Sequence, residues 1–219
     1  MTRIGMLGGI GPESTGEFYL KLIKQLQKRK LIEKNTQFPH IIINSIPAPE
    51  LIFDKIKNSD LDIYFDGIKE LDRLGVDFIV MICNTIHLFY NKLQKEVQTP
   101  IIDLRLEILH FLSERQIKSV TILATPSTIE HGLYKFDGIS YTNPDKEELE
   151  SISKAVFNFN KGIDKEQQKE TLHHIAKKYI QFGSEIILLG CTEISLMLEN
   201  SDLPKINTML ENTIRRLSL

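Results

Sequence analysis

The chain has 219 residues, enough for one large domain or two domains of roughly 100 residues each. Its 42% hydrophobic and 26% charged residues and formal net charge of −2 fit a globular protein and exclude a global basic field for nucleic acid or an anionic membrane. The longest apolar runs, about seven residues, fall far short of the roughly 20 that a membrane-spanning helix needs. Met1 leads directly into the strand-like Ile4-Gly5-Met6-Leu7 with no leader-like segment, so a cytoplasmic location is expected.

In chain order, the strand at Ile4–Leu7 runs into Gly8-Gly9-Ile10-Gly11-Pro12. Residues 13–30 then read as an amphipathic helix with Phe18, Leu22, Ile23 and Leu26 on one face. Residues 40–46 are apolar and β-branched and predict a strand. Residues 59–74 predict a helix closed by Gly75. A buried strand leads to Cys83. Helices follow over 85–97 and 104–115, with Pro100-Ile101-Ile102-Asp103 as a short strand between them. Residues 118–124 predict a strand, and Pro126 marks a helix start. Helices over 145–159 and 164–182 precede Gly183 and a second buried strand that leads to Cys191. A short strand at Pro204–Asn207 and a helix over 208–217 end the chain. Strands alternating with helices imply parallel sheets covered on both faces, and non-alternating apolar strands agree. In such sheets ligands bind at the carboxyl ends of the strands.

The two cysteines occupy near-copies of one pattern. Each lies eight residues after a glycine (Gly75, Gly183), with an acidic residue and an apolar run between. The strand openings at Ile4 and Val120 and the short strands at Pro100 and Pro204 also correspond. The offsets are about 105 to 115 residues, so the pattern is a weak duplication rather than a solenoid. One cysteine alone reads equally as a small buried hydrophobe. Two in matched contexts point to two thiols facing one substrate carbon, and a disulfide is not expected in a cytosolic chain.

Each motif admits a structural and a chemical role. Gly8-Gly9-Ile10-Gly11-Pro12 lacks the spacing of a dinucleotide or Walker loop. It serves as a tight strand-to-helix turn, or its amides, near Gly9 and Gly11, receive a small carboxylate at the helix start. Cys83 and Cys191 are expected at helix N-termini, which favour a thiolate. Asn84, Thr85 and Thr192 are expected both as caps and as donors beside the reacting carbon. His87, four residues after Cys83, either assists proton exchange or packs with a hydrogen bond. No metal-ligand spacing occurs, since His173 and His174 are adjacent and no Cys-x-x-Cys is present. Residues 165–178 mix acids with lysines and read as a solvated helix face.

The loop at Gly8–Pro12, the block Cys83-Asn84-Thr85-Ile86-His87 and the block Gly190-Cys191-Thr192-Glu193 together resemble the aspartate/glutamate/hydantoin racemase superfamily, most closely its aspartate racemase branch. The resemblance spans nearly the whole chain. It implies an α/β fold of two pseudo-symmetric domains, each a small, mostly parallel sheet flanked by helices, with the active site in the interdomain cleft. Residues 1–98 plus 206–219 would form the half carrying Cys83, and residues 99–205 the half carrying Cys191. It also implies a homodimer and a small-molecule amino-acid substrate racemised without cofactor. Cys83 and Cys191 would act as the base and acid, and Gly9, Gly11, Asn84, Thr85, Thr125, Lys161, Thr192 and Glu193 would hold the substrate.

Two departures stand out. The branch carries an arginine just after the acidic residue of the segment equivalent to Asn44–Leu51. Here that position is Leu51, preceded by Glu50, and no arginine lies between Arg29 and Arg73. The glutamate racemase signatures, an Asp-Ser-Gly loop and a histidine after the second Cys-Thr, are also missing. Glutamate, hydantoin and maleate-isomerase chemistry remain alternatives, as does a silent amino-acid binding protein on the same scaffold.

Overall fold

The structure, a computed structural model, describes residues 1–49, 51, 58–207 and 213. The described residues fall into two compact units, one of residues 1–49, 58–103 and 213 and the other of residue 51 and residues 104–207. Each unit has its own parallel sheet.

The first sheet contains β1 (Arg3–Gly8), β2 (His40–Ser45) and β3 (Phe78–Met81) in the order β2-β1-β3. Both pairings are parallel. Ile101 adds a parallel bridge to Ile79. It is fixed by the Ile79 amide donating to Pro100 and the Ile102 amide donating to Ile79, both at 2.9 Å. Residues 99–103, expected in the second half, thus fall in the first unit. The second sheet contains β4 (Ser119–Ala124), β5 (Ser140–Thr142), β6 (Ile186–Gly190) and β7 (Lys205–Ile206) in the order β5-β4-β6-β7, again all parallel. Because Ile206 pairs with Leu188, it belongs to the second sheet rather than to a returning C-terminal segment. Of the helix expected over 208–217 only Thr213 is described, and it is helical and fully buried.

The strand order follows from burial. β3 and β6 are buried throughout and β1 and β4 over most of their length; β1, β4 and β6 are central strands, and β3 is flanked by the bridge at Ile101. β2 and β5, at the sheet edges, are partly exposed. β5 is absent from the sequence reading: three residues with two exposed leave no apolar run, and only the β-formers Tyr141 and Thr142 hint at it.

Helices α1 (Pro12–Lys28), α2 (Asp62–Arg73), α3 (Tyr90–Lys95), α4 (Leu104–Glu114), α5 (Pro126–Glu130), α6 (Lys146–Asn160), α7 (Lys165–Gln181) and α8 (Thr192–Met197) supply the connections. In α1, Phe18, Leu22 and Leu26 are buried, as their spacing of four predicts. Gly75 and Gly183 close α2 and α7 with φ of 66° and 101°, the left-handed geometry for which glycine carries no Cβ penalty. Asp145 and Glu148 form a reciprocal capping box at the start of α6, worth about 1 kcal/mol. In the second unit, Ile152, Val156 and Phe159 of α6 and Leu172 and Ala176 of α7 pack with Leu123, Ile187 and Leu189 of the sheet. Each such side chain contributes roughly 1.5–3 kcal/mol by leaving water.

Candidate active site

In the first unit, β1 and β3 are neighbours, and the Ile82 amide donates to Leu7 at 2.8 Å. The Gly8-Gly9 loop and Cys83 therefore leave the sheet side by side at its carboxyl end. Gly9 has φ +87°, and a Cβ there would stand 2.1 Å from the Ile46 carbonyl oxygen. The Gly9 amide donates to Thr15 Oγ1 at 3.0 Å, and that hydroxyl donates to the Gly11 carbonyl at 3.2 Å. At Gly9 the geometry is thus that of a tight turn, with its amide engaged inside the chain. Gly11, at φ 90°, occupies the N-cap of α1. Thr15 escapes the sequence reading, although a threonine in the first turn, four residues from Gly11, is a known back-bonding position.

Cys83 is buried. The helix expected directly after it begins instead as a 3₁₀ turn, Thr85–Phe89, and α3 follows. Asn84 holds the N-cap position of that turn without a side-chain cap bond, and both Asn84 and Thr85 are buried. His87 Nδ1 lies 2.9 Å from the Cys83 carbonyl oxygen, so Nδ1 carries the proton. Burial holds the His87 ring below its ordinary pKa, opposed by its hydrogen bonds and by Asp103, and the ring is neutral near pH 7. Of its two expected roles, the geometry displays packing: the ring grips the carbonyl of Cys83. Tyr64 of α2 is fully buried, and its hydroxyl donates to the Pro49 carbonyl at 2.7 Å. Burial first, then the charges of Cys83 and Asp60, pushes the Tyr64 phenol far above its ordinary value. Its place in an amphipathic helix marks it in sequence only as a core residue.

In the second unit, Ala124 of β4 pairs with Gly190 of β6, so Thr125 and Cys191 also leave their sheet side by side. Thr125 is the N-cap of α5 and is buried, with Oγ1 3.1 Å from Thr128 Oγ1. Cys191 itself is the N-cap of α8, the position expected of Thr192. The Cys191 thiol donates to Glu193 Oε2 at 2.9 Å, and the Thr192 hydroxyl donates to the same oxygen at 2.9 Å. Glu193 is only 5% exposed. Ser195 Oγ donates to the Cys191 carbonyl at 3.1 Å.

Lys161 closes α6 and is exposed, with Nζ 3.9 Å from the centroid of the Phe157 ring. Lys178 near the end of α7 bonds Glu148 near the start of α6 at 2.6 Å, so the two helices are antiparallel. Glu185, just beyond α7, accepts from the amides of Lys118 and Ser119 at the opening of β4. The start of α6 therefore lies at the amino end of the strands. Lys161, roughly 22 Å along the helix from it, lies toward the carboxyl end. Leu51, where the arginine of the aspartate branch would stand, is buried, and Glu50 lies outside the described residues. A surface groove along α7, lined by Glu170, His173, His174 and Ser201 among others, includes neither cysteine. Among the described residues no group of three His, Cys, Asp or Glu is placed to hold a metal, and no helix is long and apolar enough to cross a membrane.

The sequence pattern of the Asp/Glu/hydantoin racemase family matches residues 7–210. The chain is 27% identical over 210 residues to the broad specificity amino-acid racemase RacX of Bacillus subtilis (strain 168), covering 94% of this chain and 92% of that protein. The solved Picrophilus torridus aspartate racemase superposes with a TM-score of 0.84 at 22% identity, covering all of this chain and 95% of its own. An aspartate racemase homologue from Pyrococcus horikoshii OT3 gives a TM-score of 0.76 at 27% identity, covering all of this chain and 98% of its own. The chain belongs to the Asp/Glu/hydantoin racemase family and is an amino-acid racemase, an isomerase.

Proposed function

We propose that the chain racemises amino acids without a cofactor, by proton transfer at Cα between two thiols, with aspartate as the first substrate to test. The observation that carries this reading is the equivalence of Cys83 and Cys191. Each follows the third strand of a sheet whose strand order is repeated in the other unit, and each stands beside a loop rich in amides or hydroxyls.

In the proposed reaction one cysteine, as thiolate, takes the Cα proton. The other, as thiol, delivers a proton to the opposite face. Thiols suit this step because their ordinary pKa of about 8.5 is close to the working pH. The harder demand is the carbanion. Donors aimed at the α-carboxylate would stabilise the charge that spreads onto it. Asn84, Thr85, Thr125 and the backbone around Gly11 are the candidates. The Gly9 amide and the Thr192 hydroxyl, which donate to Thr15 and Glu193, are candidates as well, like the Thr125 hydroxyl beside Thr128.

Leu51 favours a second reading within the same chemistry. A buried leucine cannot form the bidentate, charge-assisted pair that an arginine makes with a distal carboxylate. Discrimination for aspartate then falls to Lys161 or is relaxed, as the name of the Bacillus subtilis relative states for that protein. Initial rates with both enantiomers of aspartate, glutamate and a set of uncharged amino acids test this. Aspartate alone as substrate supports the first reading, and comparable rates with uncharged side chains support the second. The family resemblance supports a homodimer, which light scattering tests, and cell fractionation tests the expected cytoplasmic location.

A further inference from the structure

In the second unit a buried carboxylate touches the cysteine's thiol. We infer that the Glu193 carboxylate holds the proton of Cys191, so that Cys191 rests as the thiol and enters the reaction as the acid. This inference rests on the two-thiol reading above. Three observations carry it. The Cys191 sulfur lies 2.9 Å from Glu193 Oε2. The same oxygen takes the Thr192 hydroxyl at 2.9 Å, which fixes where it points. Glu193 is 5% exposed, so little water screens its charge from the sulfur.

The chemistry follows from charge. An S–H bond donated to a carboxylate is favourable, whereas a thiolate beside a carboxylate places two negative charges in contact. When Cys191 delivers its proton, the S–H bond breaks, a C–H bond forms at the carbanion, and the sulfur is left facing Glu193. That state is the less stable one, so the carboxylate drives the thiolate to recover a proton, from the opposite enantiomer or from solvent. In the reverse direction the sulfur takes the Cα proton and the new S–H turns to Glu193. The electron pair stays on the substrate.

Racemisation rates alone cannot reveal this asymmetry. Enantiomers have an equilibrium constant of one, so any variant changes kcat/KM equally in both directions. Two other measurements can. The first is carboxamidomethylation of Cys191 by iodoacetamide as a function of pH, in Cys83→Ser and in Cys83→Ser/Glu193→Gln, read by peptide mass. The expected result is a profile moved about one pH unit lower by Glu193→Gln. An unmoved profile, or one moved upward, overturns the inference. This readout needs no turnover, so it stands even if no amino acid is racemised, the result that would instead defeat the two-thiol reading.

The second is elimination of HCl from the two enantiomers of β-chloroalanine, which needs only one base: the thiolate takes the Cα proton and chloride leaves. Cys83→Ser and Cys191→Ser identify which enantiomer each thiol serves. In Glu193→Gln the ratio of the two elimination rates at pH 7 is expected to shift about threefold toward the enantiomer served by Cys191. A ratio cancels any loss of folded protein. An unchanged ratio means that Glu193 acts on the substrate as a whole and overturns the inference.

Discussion

The surroundings of Cys83 in the first unit and of Cys191 in the second are built on one plan. In both, a cysteine follows the strand next to the sheet's first strand. In both, a side chain four residues on grips the cysteine's carbonyl: His87 at 2.9 Å in one half and Ser195 at 3.1 Å in the other. That shared bond ties the thiol's own backbone to the turn after it. The thiols' surroundings then diverge. A buried carboxylate accepts the thiol proton of Cys191, while the surroundings of Cys83 include the buried Tyr64 phenol and a 3₁₀ turn in place of an immediate α-helix. The two units share the bond that places the sulfur, and the Cys191 thiol has a carboxylate beside it. On the proposed mechanism one thiol starts as acid and the other as base, so their surroundings need not match.

The largest effect is expected from removing either sulfur. Cys83→Ala and Cys191→Ala should each lower racemisation by about 10³-fold or more, measured by chiral chromatography of the product. A substantial rate in either variant would break the equivalence of the two halves. Next comes the loop beside Cys83. Gly9→Ala must place a Cβ against the Ile46 carbonyl at a positive φ. It should cost about 2 kcal/mol of stability or more, read from denaturant unfolding. In the second half the equivalent loop begins at Thr125, an N-cap in ordinary extended geometry, and Thr125→Ala, which removes the hydroxyl paired with Thr128, should cost about 1 kcal/mol.

The paired carbonyl bonds give a pH test. His87 is held neutral by burial, with its folded pKa below the ordinary 6.5. Above 6.5 it has no effect on pH dependence. As pH falls below 6.5 the unfolded chain binds a proton that the folded chain refuses. Stability should then drop by up to about 1.4 kcal/mol per pH unit, until the folded pKa is reached. His87→Gln should remove that slope from unfolding curves between pH 7 and 5, and Ser195→Ala should leave it in place. The smallest effect is expected at Lys161, an exposed side chain: Lys161→Ala should raise KM for aspartate roughly threefold with little change in kcat.

Much of this arrangement is legible in the sequence because buried parallel strands announce themselves. Ile79–Ile82 and Ile186–Leu189 have no polar interruption, and the glycines eight residues before each cysteine mark the helix ends. The matched cysteines follow from the same pattern. What escapes is set by local hydrogen bonding rather than hydrophobic period. Nothing in Cys83-Asn84-Thr85 distinguishes a 3₁₀ start from an α-helix. The engagement of the Gly9 amide by Thr15, and of Cys191 by Glu193, depends on rotamers that the residue order does not state. β5 escapes because an exposed three-residue edge strand has no apolar run, and the bridge at Ile101 because one pair of residues leaves no periodicity to read.

The most direct test of the two-thiol account is proton-to-deuteron exchange at Cα, followed by NMR in D₂O with no added cofactor. L- and D-aspartate come first, then a panel of other amino acids. The account predicts deuterium at Cα together with appearance of the opposite enantiomer for aspartate, for other amino acids, or for both. No exchange with any amino acid by folded protein would contradict it.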